Sequence, residues 1–216
     1  MAVLRRLDGV QFAINPYRTT VEFHQILQLN QSIKELTQTH GQYVRLFKKA
    51  DNQFTAVLSQ DPGFLLGESV WQHFECPDNL VYCESMPENA QAILVIVSAG
   101  KIVFDNVIAL SQIDAELKQH IIDAEKYAVY IYGDVPIGMG NNNYEFIFKE
   151  NQITSFNHLT EPLFIHLPIN EHVQLLPLQL ALKEHHLGKS SALEKASIFV
   201  IIAVAFSSWY AMFYLH

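Results

Sequence analysis

Residues 196–215, the last twenty before the C-terminal His216, contain no charged residue, no proline and no glycine. A helix rises about 1.5 Å per residue, so a helix of this length spans roughly 30 Å, the thickness of the hydrocarbon core of a bilayer. The alternative is a core helix of a globular domain, but such a helix usually keeps a polar stripe, and this segment is apolar on every side. The sequence therefore predicts one transmembrane helix over residues 196–215.

The charges that flank this segment predict its orientation. Lys183, Lys189 and Lys195 precede it, whereas only His216 follows it. Positively charged flanks stay on the cytoplasmic side of a membrane. We therefore expect the domain before the helix to be cytoplasmic.

Aromatic and small residues give the predicted helix two further features. Trp209, Tyr210 and Tyr214 cluster in its last third, where amphipathic rings settle at the far membrane interface. Small residues recur every four positions on one face, as the small-xxx-small pattern of close helix packing requires; these are Ala203, Ser207 and Ala211. This face is a candidate contact for a partner helix, either in another protein or in a second copy of this chain.

The rest of the chain has room for one domain of ordinary size or two small ones. Hydrophobic residues make up 50% of the sequence and charged residues 17%, which favours a folded core over disorder. We predict a domain over residues 1–182, with a division into 1–88 and 89–182 as the alternative, and a juxtamembrane linker over 183–195.

The charge distribution excludes several classes of partner. The net charge is -8, and the basic residues do not cluster beyond Arg5–Arg6 and Lys48–Lys49. Nucleic acids and anionic membrane surfaces are bound by clustered lysine and arginine. We therefore expect neither to be a partner of this domain.

Hydrophobic periodicity predicts a mixed α/β (α+β) fold with several hairpins and about three helices. The expected helices cover residues 21–39, capped by Thr19 or Thr20, then 64–74 and 112–126. The expected strands are 10–14, 42–47, 53–58, 80–83, 92–97, 101–109, 128–132, 144–149 and 152–156. Residues 144–156 are expected to form a hairpin, and residues 133–143 a loop.

Residues 92–109 carry the clearest strand pattern. Two β-branched runs flank a short turn that contains Gly100, and residues 93–97 are apolar without alternation. A strand that is apolar on both faces is buried on both faces. We therefore predict that residues 93–97 form a central strand.

The sequence contains no strong catalytic motif, and we expect no enzyme activity and no cofactor. Two short stretches, 98–101 and 138–140, have part of a phosphate-binding loop, but each lacks residues that such loops need. The ten histidines include His166, His172 and the His185–His186 pair, whose spacing fits no metal site.

The only cysteines, Cys76 and Cys83, are separated by six residues, and we interpret them as ordinary thiols rather than as metal ligands or a nucleophile pair.

The strand–turn–strand pattern at residues 93–105, followed by a helix and another strand, resembles part of a known family. It is similar to the actin-like cytoplasmic domains of bitopic inner-membrane assembly-platform proteins of type IV pilus and type II secretion systems, the PilO, GspL and BfpC types. Residues 173–177 look like the segment that such proteins place ahead of their membrane helix. The resemblance covers residues 90–215 and implies a partial actin-like or ribonuclease H-like fold. It also implies a non-enzymatic scaffold in the bacterial inner membrane, which binds a cytoplasmic ATPase and a polytopic membrane protein.

The sequence departs from the family at two points. Residues 98–101 lack the acidic residue of an actin-type phosphate loop, so nucleotide binding is not carried over. Many members continue into a periplasmic domain, which this sequence does not include. Two other functions stay open, a tail-anchored adaptor unrelated to pili and a membrane-tethered enzyme.

Overall fold

A computed structural model describes residues 3–86, 89–140, 144–185 and 187. The described strands are β1 Val3–Arg5, β2 Gln11–Ala13, β3 Tyr17–Glu22, β4 Tyr43–Ala50, β5 Gln53–Ser59, β6 Gly63–Leu65, β7 Leu80–Met86, β8 Gln91–Ser98, β9 Lys101–Ala109, β10 Tyr127–Tyr132, β11 Ile137–Met139, β12 Phe146–Phe148, β13 Ile153–His158 and β14 Gln174–Pro177. The described α-helices are α1 Ile26–His40, α2 Leu66–His73, α3 Ile113–His120 and α4 Leu178–Glu184. The prediction of a mixed α/β domain is confirmed.

The first large sheet has seven strands in the order β1-β2-β6-β14-β4-β5-β3. Its hairpin β4–β5 is antiparallel, as the sequence predicts, and β3 pairs along its whole length with β5. Strand β14 is the last of the described strands in chain order, yet it lies between β6 and β4 and pairs antiparallel with both. The segment expected just ahead of the membrane is therefore an internal strand of the sheet.

The second large sheet has five strands in the order β13-β10-β7-β8-β9. Strands β7, β8 and β9 form an antiparallel meander, and β10 and β13 add to it in parallel with β7. Strand β8 lies inside the sheet, and every residue from Ile93 to Val97 has no exposed surface. The prediction of a central strand at residues 93–97 is confirmed.

Alternate residues of β8 face two different hydrophobic cores, which explains why the strand shows no polar face. Leu94 and Ile96 pack in the core that includes residues of α3. Ile93 and Val95 pack in the core on the other side of the sheet, which includes residues of α2. Helices α1 and α4 cover one face of the seven-stranded sheet and form a third core with it.

The first predicted helix begins later than expected. Residues 17–22 form β3, so Thr19 and Thr20 are strand residues and not helix caps, and α1 begins at Ile26 after an N-cap residue, Gln25, whose side chain makes no capping hydrogen bond. The consecutive Thr19, Thr20 and Val21 are β-branched and favour a strand. Pairing of all six residues of β3 with β5 decided the outcome.

The expected hairpin at residues 144–156 is wrong. Strand β12 pairs in parallel with β11, whereas β13 pairs in parallel with β10 in the five-stranded sheet. A 3₁₀ turn at Glu150–Gln152 separates them, and the Gln152 side chain accepts a hydrogen bond of 3.1 Å from the Lys149 amide. Strand β11 also lies in the stretch 133–143 that was expected to be a loop.

The third predicted helix is shorter than expected, because α3 ends at His120 and not near residue 126. The second, α2, lies within the expected range 64–74. Strands β7 and β8, on either side of residue 88, belong to one sheet.

In the part of the chain that the structure describes, no helix is both long and apolar enough to cross a membrane. The predicted span 196–215 lies outside the described residues.

Candidate functional site

A cleft of about 560 Å³ lies between the two large sheets. One wall is the face of β3, β5 and β4 that is turned away from α1. Thr20, Thr55 and Phe47 form a row across these strands, because Thr20 pairs with Thr55 and Thr55 pairs with Phe47. Side chains at directly opposed strand positions point to the same face of a sheet, which brings this row together.

The opposite wall comes from α2 and from the turn between β8 and β9. Helix α2 contributes Trp71 and Gln72, and the turn contributes Gly100, Lys101 and Ile102. The indole Nε1 of Trp71 donates a hydrogen bond of 2.8 Å to the Pro77 carbonyl. This bond fixes the ring, so the wall is pre-formed.

Three charged residues lie together at the floor of the cleft. The Arg18 guanidinium donates to both carboxylate oxygens of Glu68, at 2.9 and 2.8 Å, and to both of Asp105, at 2.8 Å each. The side chain of Asp105 is 1% exposed and that of Glu68 10%. Arg18 lies on β3, Glu68 on α2 and Asp105 on β9, so the cluster ties the two sheets together.

The pKa values of this cluster follow from burial and pairing. Burial by itself lowers the pKa of Arg18, but Glu68 and Asp105 outweigh it and raise that pKa above its ordinary value. Burial raises the pKa of Asp105, and the Arg18 guanidinium opposes this rise. The guanidinium therefore stays charged. Four of its five N–H groups donate to Glu68 and Asp105.

Asp105 also accepts a hydrogen bond of 3.2 Å from the Gly67 amide in the first turn of α2. A carboxylate at this position satisfies an amide that has no partner within the helix and interacts favourably with the helix dipole. A Cβ on Gly67 would lie 2.8 Å from the Ile102 Cγ2 and 3.0 Å from the Asp105 Oδ2. The glycine is needed for this close approach of α2 to β9.

The rim of the cleft carries unpaired positive charge. Lys49 and Lys101 are exposed, and neither makes an ion pair with a described residue. Beside them, the Thr55 hydroxyl is buried without a hydrogen-bond partner among the described residues. The chain as a whole has a net charge of -8, so the rim is a local reversal of its charge.

The turn at residues 98–101 belongs to this cleft, but its backbone amides are already occupied. The Ala99 amide donates to the Asn79 Oδ1 at 2.8 Å, and the Gly100 amide donates to the Asp78 carbonyl at 2.8 Å. Both residues have positive φ angles, 48° and 67°, as a tight hairpin turn requires. A phosphate loop needs free amides, and these two are not free.

The second glycine-rich stretch, 138–140, lies elsewhere. Gly138 is in β11, and a Cβ there would lie 2.0 Å from a carbon of the Tyr144 ring. Packing of this ring against the backbone explains the glycine without a ligand.

The predicted membrane-flanking residues fall mostly outside the described residues. Lys183 is exposed on α4. The others are Lys189, Lys195, Ala203, Ser207, Trp209, Tyr210, Ala211 and Tyr214, none of which is among the described residues.

Neither the histidines nor the cysteines form a site within the described residues. No group of three possible metal ligands occurs there. Cys76 is exposed, Cys83 is buried, and both are free thiols. Burial raises the pKa of both cysteines, and for Cys83 the neighbouring Glu84 raises it further.

The cleft itself is absent from the sequence-based predictions. Its residues come from four separate stretches, 18–20, 47–55, 68–72 and 100–102. One signal was present, because Glu68 and Asp105 each interrupt a largely apolar segment, but no such signal marks Arg18. The pairing of β3 with β5 brings Arg18 to the other two, and the sequence predicts no strand at residues 17–22.

The described fold defines a mixed α/β domain with two large sheets and a cleft between them. No family model and no curated protein matches the chain. Among solved structures, the chain is similar to the crystal structure of the cytoplasmic domain of BfpC, with 16% identity and a TM-score of 0.37. The similarity covers 60% of this chain and 81% of that one, and it is distant.

Proposed function

We propose that this chain is a non-enzymatic, membrane-anchored scaffold of a bacterial envelope machine, of the type IV pilus or secretion assembly-platform class. It would recruit a cytoplasmic ATPase to a polytopic membrane protein, with its domain on the cytoplasmic side of the inner membrane. The observation that carries the proposal is how the domain ends. Strand β14 and helix α4 belong to the seven-stranded sheet and its core, and Leu187 packs in that core, only eight residues before the apolar segment 196–215.

This arrangement couples the folded domain closely to the predicted anchor. Eight residues, 188–195, span at most about 28 Å when fully extended. Glu184 at the end of α4 forms two hydrogen bonds of 2.9 Å with Arg45 of β4, and the Asn30 side chain donates to the Leu187 carbonyl at 3.0 Å. A domain tethered on so short a linker is suited to holding a partner at the membrane surface.

The strand order of the five-stranded sheet supports the family part of the proposal. Strands β7, β8 and β9 form an antiparallel meander, and two parallel strands, β10 and β13, are added beside β7. Ribonuclease H-like domains, which include actin-like domains, have this arrangement. The occupied amides of Ala99 and Gly100, and the closed cluster around Arg18, favour a role through surface contacts over one in nucleotide chemistry.

An affinity-tagged full chain, purified from gently solubilised membranes, tests the proposal. We expect a hexameric ATPase and a polytopic membrane protein to be recovered with it. The matched control is the triple variant Ala203→Leu, Ser207→Leu and Ala211→Leu, which keeps the segment apolar but fills its small-residue face. We expect this variant to insert normally and to recover less of the polytopic protein. Recovery of the chain without either partner, or a reporter placing the N-terminus outside the cytoplasm, would refute the proposal.

A further inference from the structure

Strand β3 is an edge strand of the seven-stranded sheet. It pairs with β5 along all six residues, and no other described strand pairs with its opposite side. The Phe23 amide, one residue past the strand, donates to the Asn52 carbonyl in the β4–β5 turn, so the amides of alternate residues counted back from Phe23 also point toward β5. The amides and carbonyls of Arg18, Thr20 and Glu22 therefore point to the open side.

A groove of about 460 Å³ lies between β3 and helix α1. Helix α1 lines it with a stripe of residues spaced three and four apart, which share one face of the helix; these are Ser32, Glu35, Leu36 and Thr39. Val21 packs in the core with α1, whereas the side chains of Thr20 and Glu22 alternate with it and also line the groove. The groove therefore runs along the open edge of the strand.

The groove is negatively charged. Glu22 and Glu35 line it, and both are exposed and make no ion pair with a described residue. Each carboxylate accepts a hydrogen bond from a neutral side chain, that of Gln53 at 2.9 Å and that of Gln31 at 3.0 Å, which leaves its charge uncompensated. Lys34 is next to Glu35 in sequence, but among the described residues no lysine or arginine lines the groove. Such a surface attracts cationic side chains.

Strand β3 lacks the usual protection of an edge strand. Proline, an outward lysine or a bulge commonly blocks such an edge. Residues 17–22 contain no proline and no lysine, and their register with β5 is unbroken. Of the two charged side chains of β3, Arg18 is already paired with buried carboxylates, and only Glu22 remains to attract or repel. The edge is open to an added strand, and its charge favours a basic one.

From these features we infer that the free edge of β3 is a docking site for an extended basic segment of a protein partner. The segment adds as a strand through the outward backbone groups of Arg18, Thr20 and Glu22. Backbone hydrogen bonds supply affinity in this mode, and side chains at alternate positions supply specificity. The inference deepens the proposed function and rests on it, since a scaffold that acts by contact needs a surface for its partner.

The two carboxylates lie where both faces of an added strand can meet them. Successive side chains of a strand point to opposite faces. Glu35 on α1 lies on one face of the sheet, and Glu22 alternates with the residues that face α1, so it serves the other face. A second copy of this chain would bring its own Glu22 and Glu35 to the edge, and the net charge of -8 on each copy opposes self-pairing.

A labelled peptide tests the inference on the full chain in detergent. The probe is a synthetic peptide of about eight residues that alternates pairs of lysine and valine, a length typical of a strand. Its controls replace every lysine by glutamine, every lysine by glutamate, or the central residues by proline. Fluorescence anisotropy should show saturable binding of the lysine peptide that weakens as salt is raised, because exposed charges are screened. The glutamine peptide should bind more weakly, and the glutamate and proline peptides should not bind.

Protein variants separate the strand edge from net charge. Thr20→Pro removes an amide that points to the open side, so β3 should still pair with β5 while the peptide binds roughly tenfold more weakly or worse. Glu22→Gln/Glu35→Gln should weaken binding about fivefold, the size expected for two exposed ion pairs. The control Glu145→Gln/Glu171→Gln neutralises two other exposed glutamates, so its affinity should match that of the unchanged chain. If Thr20→Pro does not fold, the two glutamate pairs still decide the question.

Four outcomes would overturn the inference. They are equal binding by the two glutamate pairs of variants, unchanged binding by a folded Thr20→Pro variant, equal binding of the glutamate or proline peptide, and a dimer in analytical ultracentrifugation that Thr20→Pro converts to a monomer. The last outcome would assign the edge to a second copy of the chain. Failure of the peptide with continued recovery of the membrane complex would remove this inference alone. Peptide binding without any recovered ATPase or polytopic protein would instead remove the proposed function.

Discussion

The guanidinium of Arg18 on β3 and the carboxylate of Asp105 on β9 form two hydrogen bonds of 2.8 Å between the seven-stranded and the five-stranded sheets. The backbone amide of Asn15, two residues before β3, donates a hydrogen bond of 2.7 Å to the Asp105 backbone carbonyl. Asp105 therefore holds the two sheets together through both its side chain and its backbone.

Replacing Arg18 by alanine should destabilise the domain strongly. The change leaves Glu68 and Asp105 buried without their cation, and removal of one partner from a buried ion pair costs about 3–5 kcal/mol. Urea unfolding followed by circular dichroism measures the loss. The triple variant Arg18→Met/Glu68→Gln/Asp105→Asn should lose less than Arg18→Ala, because no charge is left unpaired. A loss below that of an exposed control, Lys34→Ala, would show that the cluster does not hold the sheets.

Replacing Gly67 by alanine should also destabilise the domain, although alanine is intrinsically better in a helix by about 1 kcal/mol. The new Cβ would meet the Asp105 Oδ2 at 3.0 Å, and this oxygen cannot retreat because Arg18 and the Gly67 amide both bind it. Overpacking of this kind costs about 1–3 kcal/mol. The free energy of unfolding in urea should fall accordingly. An increase in stability would mean that α2 shifts freely away from β9.

Replacing Val95 by aspartate should abolish folding. Val95 has no exposed surface and lies in the central strand β8, where an unpaired carboxylate costs several kcal/mol, a large part of the stability of a typical domain. The matched control is Val103→Asp on the neighbouring strand β9, where the valine is 40% exposed. Limited proteolysis should digest the first variant and spare the second. Equal resistance of the two would contradict the burial of β8.

The two thiols should differ in reactivity. Cys76 is exposed, whereas Cys83 is buried and burial raises its pKa, so Cys83 stays protonated in the fold. Iodoacetamide at mildly alkaline pH should modify one thiol per native chain and two in urea, as mass spectrometry would show. Rapid modification of Cys83 in the native chain would contradict this assignment.

The same pKa shift gives a pH dependence of stability. The Cys83 thiol ionises near pH 8.5 in the unfolded chain but only at higher pH in the fold. Above that pH the native state holds the extra proton, so the free energy of unfolding falls as pH rises, by up to about 1.4 kcal/mol per unit. The variant Cys83→Ala should show a shallower fall in urea unfolding between mildly and strongly alkaline pH. Identical slopes would refute this origin.

Local patterns in the sequence were sufficient for the central hairpin and for the mixed class. Residues 93–97 are apolar on both faces, and that property alone predicts a strand buried on both sides. Local patterns do not predict where α1 begins, because residues 17–22 become a strand only through pairing with β5. The pairing partners of β12 and β13 could not be predicted for the same reason, because the two strands do not pair with each other: β12 pairs with β11, and β13 pairs with β10.

The cleft illustrates the same limit at the level of function. Lys49 and Lys101 are ordinary surface lysines in the sequence, and only the approach of the two sheets places them on one rim. Thr19 and Thr20 suggested a helix cap, because threonine is favoured both at helix N-caps and in strands, and the local sequence does not distinguish these two roles.

The late position of β14 has a consequence for how the chain is made. Strands β6 and β4 are synthesised more than a hundred residues before the strand that lies between them, and until residues 174–177 emerge each presents an unpaired edge. Contacts of such long sequence separation form slowly, because closing the intervening chain into a loop costs entropy before the strand pairing stabilises it. The nascent chain thus completes the seven-stranded sheet only as the apolar segment 196–215 is being made. A ribosome that stalls after β6 and before β14 would leave the edges of β6 and β4 unpaired and prone to aggregation.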